Sequence, residues 1–194
     1  QAAGFERSRA EWNLLYYEVL HNLVLETTRN GIEVKNLRMR VEALASRLFQ
    51  TALDLSDNRQ GALFVVLRDA AQSLPMLVAP GDRLDAPRGK ASDAPDRVQL
   101  LHMLRGRSAV NLDPAVLAGL AKTDGAIVMD GNGRLLAVGA ILMHTEPVEP
   151  HSTLAVEGAR TTAAMAAGRY AAVVKVSEDG LITFYDRQEK IWDI

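Results

Sequence analysis

The sequence predicts an α/β (α+β) fold with a single central mixed β-sheet flanked by helices. Three observations predict it. Apolar runs of strand length, such as "GALFVVL", alternate with stretches of helical periodicity, so strands and helices share one layered unit. Hairpin punctuation, "DGNG" at 130–133 and "EDG" at 178–180, separates apolar runs and requires antiparallel pairs. The chain has 194 residues, enough for one domain with a substantial core.

Residues from about 8 to 55 read as helix. Leu37, Val41, Leu44 and Leu48 recur on one face, and Trp12, Tyr16, Val19, Leu20 and Leu23 form an earlier stripe. "RNG" at 29–31 marks a break, with Gly31 as a left-handed cap. The stripes suit packing on the domain's own sheet; a helical partner or dimer surface is the alternative. No heptad is sustained long enough for a coiled coil. The chain therefore divides into an N-terminal helical segment, 1–55, and a main unit, 56–194.

"GALFVVLRD" reads as a strand buried on both faces, since Leu63 to Leu67 is apolar throughout. "MLVAPGD" at 76–82 reads as a paired strand ending in a Pro-Gly turn. Residues 85–97, rich in Pro, Asp, Gly and Arg, read as an exposed loop. "DRVQLLHMLRG" and "NLDPAVLAGLAK" read as helices, the second with Asp113 as N-cap and Pro114 at its first position. "DGAIVMDGNGRLLAVGAIL" is strand, tight turn, strand. "LAVEGARTTAAMAAGRY" is a loop leading into a helix, and "AAVVKVSEDGLITFYD" is a second hairpin.

Composition excludes several function classes. Hydrophobic residues at 48% and charged residues at 24% fit a soluble globular protein. The net charge of −2 argues against nucleic-acid binding by counterion release. The absence of cysteine excludes disulfides and thiolate metal sites. No apolar run approaches about 18 residues, so no membrane span is expected. No signal peptide is expected either, and the cytoplasm is the default compartment. The first residue, Gln1, suggests a piece of a longer protein.

Three polar points fall at strand ends, where a rigid scaffold carries binding residues. At Asp124-Gly125-Ala126 the glycine lets a ligand or another backbone approach, although a DG pair before a strand also reads as a plain turn. At Gly158-Ala159-Arg160-Thr161-Thr162 a helix start offers amides and hydroxyls to an anion, with Arg160 as a bidentate partner. The alternative there is a threonine cap beside a solvated arginine. At Ser177-Glu178-Asp179 the carboxylates suit a hard cation together with phosphate oxygens, or an acidic hairpin turn. Lys175 lies in a strand and faces either solvent or a pocket. His21, His102, His144 and His151 show no metal-ligand spacing, and neither "GxxxxGK" nor "GxGxxG" is present.

Taken together, "GALFVV", "DGAIVMD", "EGARTTAA" and "VVKVSEDG" resemble, over about residues 60–190, the diadenylate cyclase (DAC) domain family. That family carries DGA, then G-T-R-H-R opening a helix, then a strand ending in S-E. Asp124-Gly125-Ala126 and Ser177-Glu178 match, and so do Gly158 and Arg160. Ala159, Thr161 and Thr162 depart from the pattern, standing where the family has Thr, His and Arg. The resemblance implies a DAC-like fold and a nucleotide site built from these residues. In the family, two domains face each other and join two ATP into cyclic di-AMP. The resemblance makes Asp124 the residue that activates the hydroxyl and, with Glu178, the holder of Mg²⁺ or Mn²⁺. It places Ile141 and Leu142 against the adenine.

The departures weaken a triphosphate clamp. Losing one charged donor costs on the order of 2.7–4 kcal/mol of transition-state stabilisation. Two losses require compensation from Arg169, Lys175 or a neighbour. The expectation is therefore a nucleotide sensor of weak or no cyclase activity, working with an attached effector domain or as a homodimer. An active cyclase making cyclic di-AMP from two ATP is the alternative, and a domain that has lost its ligand is the third reading.

Overall fold

The computed structural model describes residues 11–22, 34–85, 95–143 and 158–194. Residues 11–22 form helix α1, and α2 spans Val34–Asp57, two residues beyond the expected end. Strand β1 (Ala62–Leu67) follows, then α3 (Ala70–Leu77), α4 (Pro95–Leu104), α5 (Pro114–Ala121), β2 (Ala126–Asp130) and β3 (Leu135–Ala140). Helix α6 (Ala159–Gly168) and strands β4 (Ala171–Val176), β5 (Ile182–Asp186) and β6 (Glu189–Asp193) complete the described chain. The expected break at Gly31, Leu23, His144, His151 and most of the 85–97 loop lie outside the described residues.

The six strands form one sheet in the order β3-β2-β1-β4-β5-β6. Only β1 and β2 run parallel; every other neighbouring pair is antiparallel. The mixed sheet follows from the sequence: the two Gly-rich turns force hairpins, while the helical stretch between β1 and β2 permits a parallel return. All six residues of β1 are buried because helices cover both faces. Phe64 and Val66 pack with α1, α2, α4 and α5, whereas Leu63, Val65 and Leu67 pack with α3 and α6. The N-terminal stripes thus serve this domain's own core. Leu15 and Val19 are buried in it beside Val41, Leu44 and Leu48, and Trp12 stacks on Phe49 with centroids 4.3 Å apart.

The strand expected at 76–82 does not form, because Met76 and Leu77 end a helix. Asp69 accepts a hydrogen bond from the Gln72 amide and starts α3, which carries Pro75 inside it. Leu74 and Leu77, one turn apart, face the sheet. Of the 76–82 stretch, Val78 makes an isolated bridge to Leu142, and Pro80–Asp82 is a 3-10 turn. A four-residue apolar run has no period of its own, and Pro75 masks the helix in the sequence. Strand β6 is an addition to the expected set; Trp192 on it packs against Phe184 with centroids 5.7 Å apart. Asp113 caps α5 ahead of Pro114 as expected.

The far end of the sheet is tied by Arg68, just after β1. Its guanidinium donates to the carbonyls of Gly168, Arg169 and Ala171 and pairs with buried Asp186 at the end of β5. Among the described residues, no helix is long and apolar enough to cross a membrane.

Candidate functional site

The sheet order sets where the polar points meet. Because β1 and β2 are parallel while β3 and β4 run against them, the starts of β1 and β2 lie at the same edge as the ends of β3 and β4. Asp124 and Gly125 precede β2, Ile141 and Leu142 follow β3, and Ser177 and Glu178 follow β4. Gly158 opens α6 at the same edge. Together they line an open cleft of about 900 Å³ on the face that carries α6. That size accommodates a nucleotide. Of the site residues expected from sequence, Thr162 alone is not part of the lining.

Gly125 is there for a backbone. Its φ is +99°, and a methyl group on it would lie 2.6 Å from the Ala140 carbonyl oxygen and from the Gly139 carbonyl carbon. The β2–β3 register shifts between Ala126 and Val128, and Gly139, at φ +64°, completes the irregularity. This contact with β3 positions Asp124 at the rim and leaves Ile141 exposed beside the cleft.

The N-cap of α6 is Gly158, which supplies no side-chain cap. Its carbonyl accepts from the amides of Thr161 and Thr162 at 2.8 and 3.2 Å. Neither threonine caps the helix, contrary to one reading of the sequence: both lie inside the first turn, too late to fill the cap position. The Thr161 hydroxyl instead accepts a hydrogen bond of 3.0 Å from Lys175 Nζ. Lys175 is buried, 8% exposed, and lines the cleft. This resolves the choice between solvent and pocket. Arg169, the other cation considered for the site, caps the opposite end of α6.

Arg160 is not simply solvated. Its guanidinium pairs with Glu178 Oε1 at 2.8 Å, bridging α6 and the β4–β5 turn. Gly61 makes room for it, since a methyl there would sit 2.8 Å from Arg160 Cζ. The same turn is tied to α2 by Ser56, which donates to the Gly180 carbonyl, and by Arg59, which donates to the Asp179 carbonyl at 2.9 Å.

Three carboxylates line the cleft, Asp124, Glu178 and Asp179, with Glu178 engaged by Arg160, and they do not converge into a cation cage. Among the described residues, no three His, Asp or Glu side chains come together as a metal site. A divalent ion would need phosphate oxygens to complete its shell. The residues present therefore do not fit a metal held by the protein alone.

The Arg160–Glu178 pair is largely exposed, and such pairs contribute about 0–1 kcal/mol. Glu178→Gln is therefore expected to change the melting temperature by less than about 4 °C. In metal-free buffer it should also tighten binding of anions, because it releases Arg160. Thermal denaturation and a phosphate titration check both.

Sequence reasoning raised Lys175 only as a residue facing solvent or a pocket and as one possible compensating cation, and it did not assign Leu63, Ala140 or Ala163 to the lining, nor Gly61 beside it. A lone lysine inside "AAVVKV" was the available signal; Gly61 gave none.

No family model and no curated protein matches the chain. Among solved structures, the chain is similar to a hypothetical membrane-spanning protein from Bacillus cereus, with TM-score 0.54 and 17% identity over 97% of this chain and 94% of that one. At that identity the likeness is one of fold. It is also similar to a double mutant of DacA from Staphylococcus aureus, with TM-score 0.47 and 20% identity over 79% of this chain and 87% of that one.

Proposed function

We propose that the cleft binds a nucleotide or nucleotide-derived signal in the manner of a DAC domain, as a sensor of weak or no cyclase activity. The observation that carries this reading is convergence. Four stretches of the DAC pattern, separated by many residues in the sequence, contribute to one cleft of nucleotide size. The apolar side of that cleft, Ile141 and Leu142, suits a base. The polar side, Arg160 and the first turn of α6, suits phosphate. The amides of Ala159 and Arg160 precede the first intrahelical bonds of α6, and such amides attract anions.

Binding replaces one anion by another. The phosphate takes the place of the Glu178 carboxylate on Arg160, so the affinity gained there is the difference between two charge-assisted contacts. Thr161 adds a neutral hydroxyl at the cleft where the DAC pattern has a cation, and Thr162, outside the lining, adds none. That suffices for recognition but leaves little to counter the charge that develops in phosphoryl transfer. The reading extends to signalling through an attached domain or a second copy. Arg160→Ala tests it: nucleotide affinity measured by calorimetry should fall by about tenfold or more. Unchanged affinity would contradict it.

The cyclase reading is kept alive by one observation: Asp124, the DGA aspartate, is exposed at the cleft. It predicts cyclic di-AMP from ATP and Mn²⁺ that disappears in Asp124→Asn, read by chromatography and mass spectrometry.

A further inference from the structure

We infer that Lys175 and Thr161 form the phosphate-binding floor of the cleft, with the lysine supplying from β4 a positive charge that the Arg160-Thr161-Thr162 sequence no longer supplies from α6. The inference rests on reading the cleft as a nucleotide site, and it names what that site recognises: a phosphate group held inside the cleft rather than a nucleoside alone.

All six residues of β4 are buried, and five of them are alanine or valine. A lysine in such a strand loses most of its hydration, and buried lysines are rare without a compensating interaction. An apolar residue would fill the position more simply. Its direction is fixed by the sheet. Lys175 pairs in register with Leu63 of β1, and both line the cleft. Its ammonium donates to Thr161 at 3.0 Å, in the first turn of α6. The hydroxyl thus marks where the amino group is held: beside the helix start, where the helix dipole also favours an anion.

The chemistry fits a phosphate. The ammonium donates to the Thr161 hydroxyl and lies 6.0 Å from the Tyr185 ring centroid, which hold its charge at the cleft. Threonine offers a donor as well as acceptors, so the pair presents a cation and a hydroxyl to the same oxygen cluster. Lysine acts as a compact point charge, which suits a phosphate reached from below rather than a planar bidentate contact. Arg160 plays the other part. It is half-exposed, balanced by Glu178 and nearer the rim. The division predicts that Arg160 responds to the outer part of a ligand and Lys175 to the phosphate nearest the floor.

The test compares matched pairs, adenosine with AMP and guanosine with GMP, titrated calorimetrically into the full chain. Wild type should bind one nucleotide more tightly than its nucleoside by about tenfold or more. Lys175→Met keeps the apolar stem and removes the charge. It should bind that nucleoside as wild type does, and the nucleotide no better than the nucleoside. Thr161→Val removes the hydroxyl while leaving Lys175 in place, and should cut the phosphate preference several-fold; it carries the comparison if Lys175→Met does not fold. A phosphate preference that survives intact in these variants overturns the assignment of Lys175 and leaves the nucleotide reading standing. Wild type that binds none of the four compounds overturns both.

Discussion

Asp186→Asn should lower the stability of the domain by about 3 kcal/mol, because it leaves the Arg68 guanidinium poorly compensated where it is partly buried. In a domain of this size that corresponds to a melting temperature about 6–12 °C lower. Arg68 lies where β1 ends, β4 begins and α6 stops, and it gathers the carbonyls of Gly168, Arg169 and Ala171. Burial lowers its pKa from the usual arginine value, and the positive charge of Arg187 lowers it further. Both effects oppose the charged form; the negative charge of Glu18 favours it, and the paired Asp186 carboxylate compensates the guanidinium directly. Removing both charges, as Arg68→Met with Asp186→Leu, should recover much of the loss, since replacing a buried pair by apolar groups is often neutral or better. Denaturant unfolding measures both. A change below about 1 kcal/mol for the single variant would show that the pair behaves as a surface contact.

Gly125→Ala should be nearly as damaging, at about 2 kcal/mol or more. Two costs combine. Position 125 has φ +99°, a region that alanine adopts only with strain. The new methyl would also meet the backbone of Gly139 and Ala140 at 2.6 Å, and backbone cannot swing aside as a side chain can. Relief requires β3 to move away from the start of β2, which shifts Asp124 and Ile141 together. The variant should therefore lose ligand affinity along with stability. The measurement is a melting curve with and without nucleotide. A variant as stable as wild type would mean that the β2–β3 irregularity relaxes freely.

The fold was legible where turns carry a chemical signature. "DGNG" and "EDG" mark two of the three hairpins, Asp113-Pro114 marks α5, and the stripes through Tyr16, Val19, Leu44 and Leu48 mark the helices that cover one face. It was illegible where the chain breaks the usual pairing of residue and conformation. The turn before β6 places Arg187 and Gln188, not glycine, at positive φ, so nothing in the sequence announces a strand there. Helix α3 contains a proline and too short an apolar run to show a period. At the cleft, short motifs identified most of the lining, because glycine, aspartate and arginine at strand and helix ends are unusual enough to stand out. They did not reveal that Arg160 pairs with Glu178. Nor did they reveal on which side of β4 Lys175 lies: a strand buried on both faces has no alternation from which to read direction.

The central claim is that this cleft binds nucleotide without turning it over efficiently. One measurement reaches both halves of it. Purified protein is titrated with ATP by calorimetry in the presence of Mn²⁺, and the same sample is then held overnight and separated by chromatography with mass detection. The account predicts saturable binding at one site per chain, weakened by Arg160→Ala, with ATP recovered unchanged. A cyclic dinucleotide formed by wild type and absent with Asp124→Asn would contradict the sensor reading. The absence of any binding would contradict the assignment of the cleft itself.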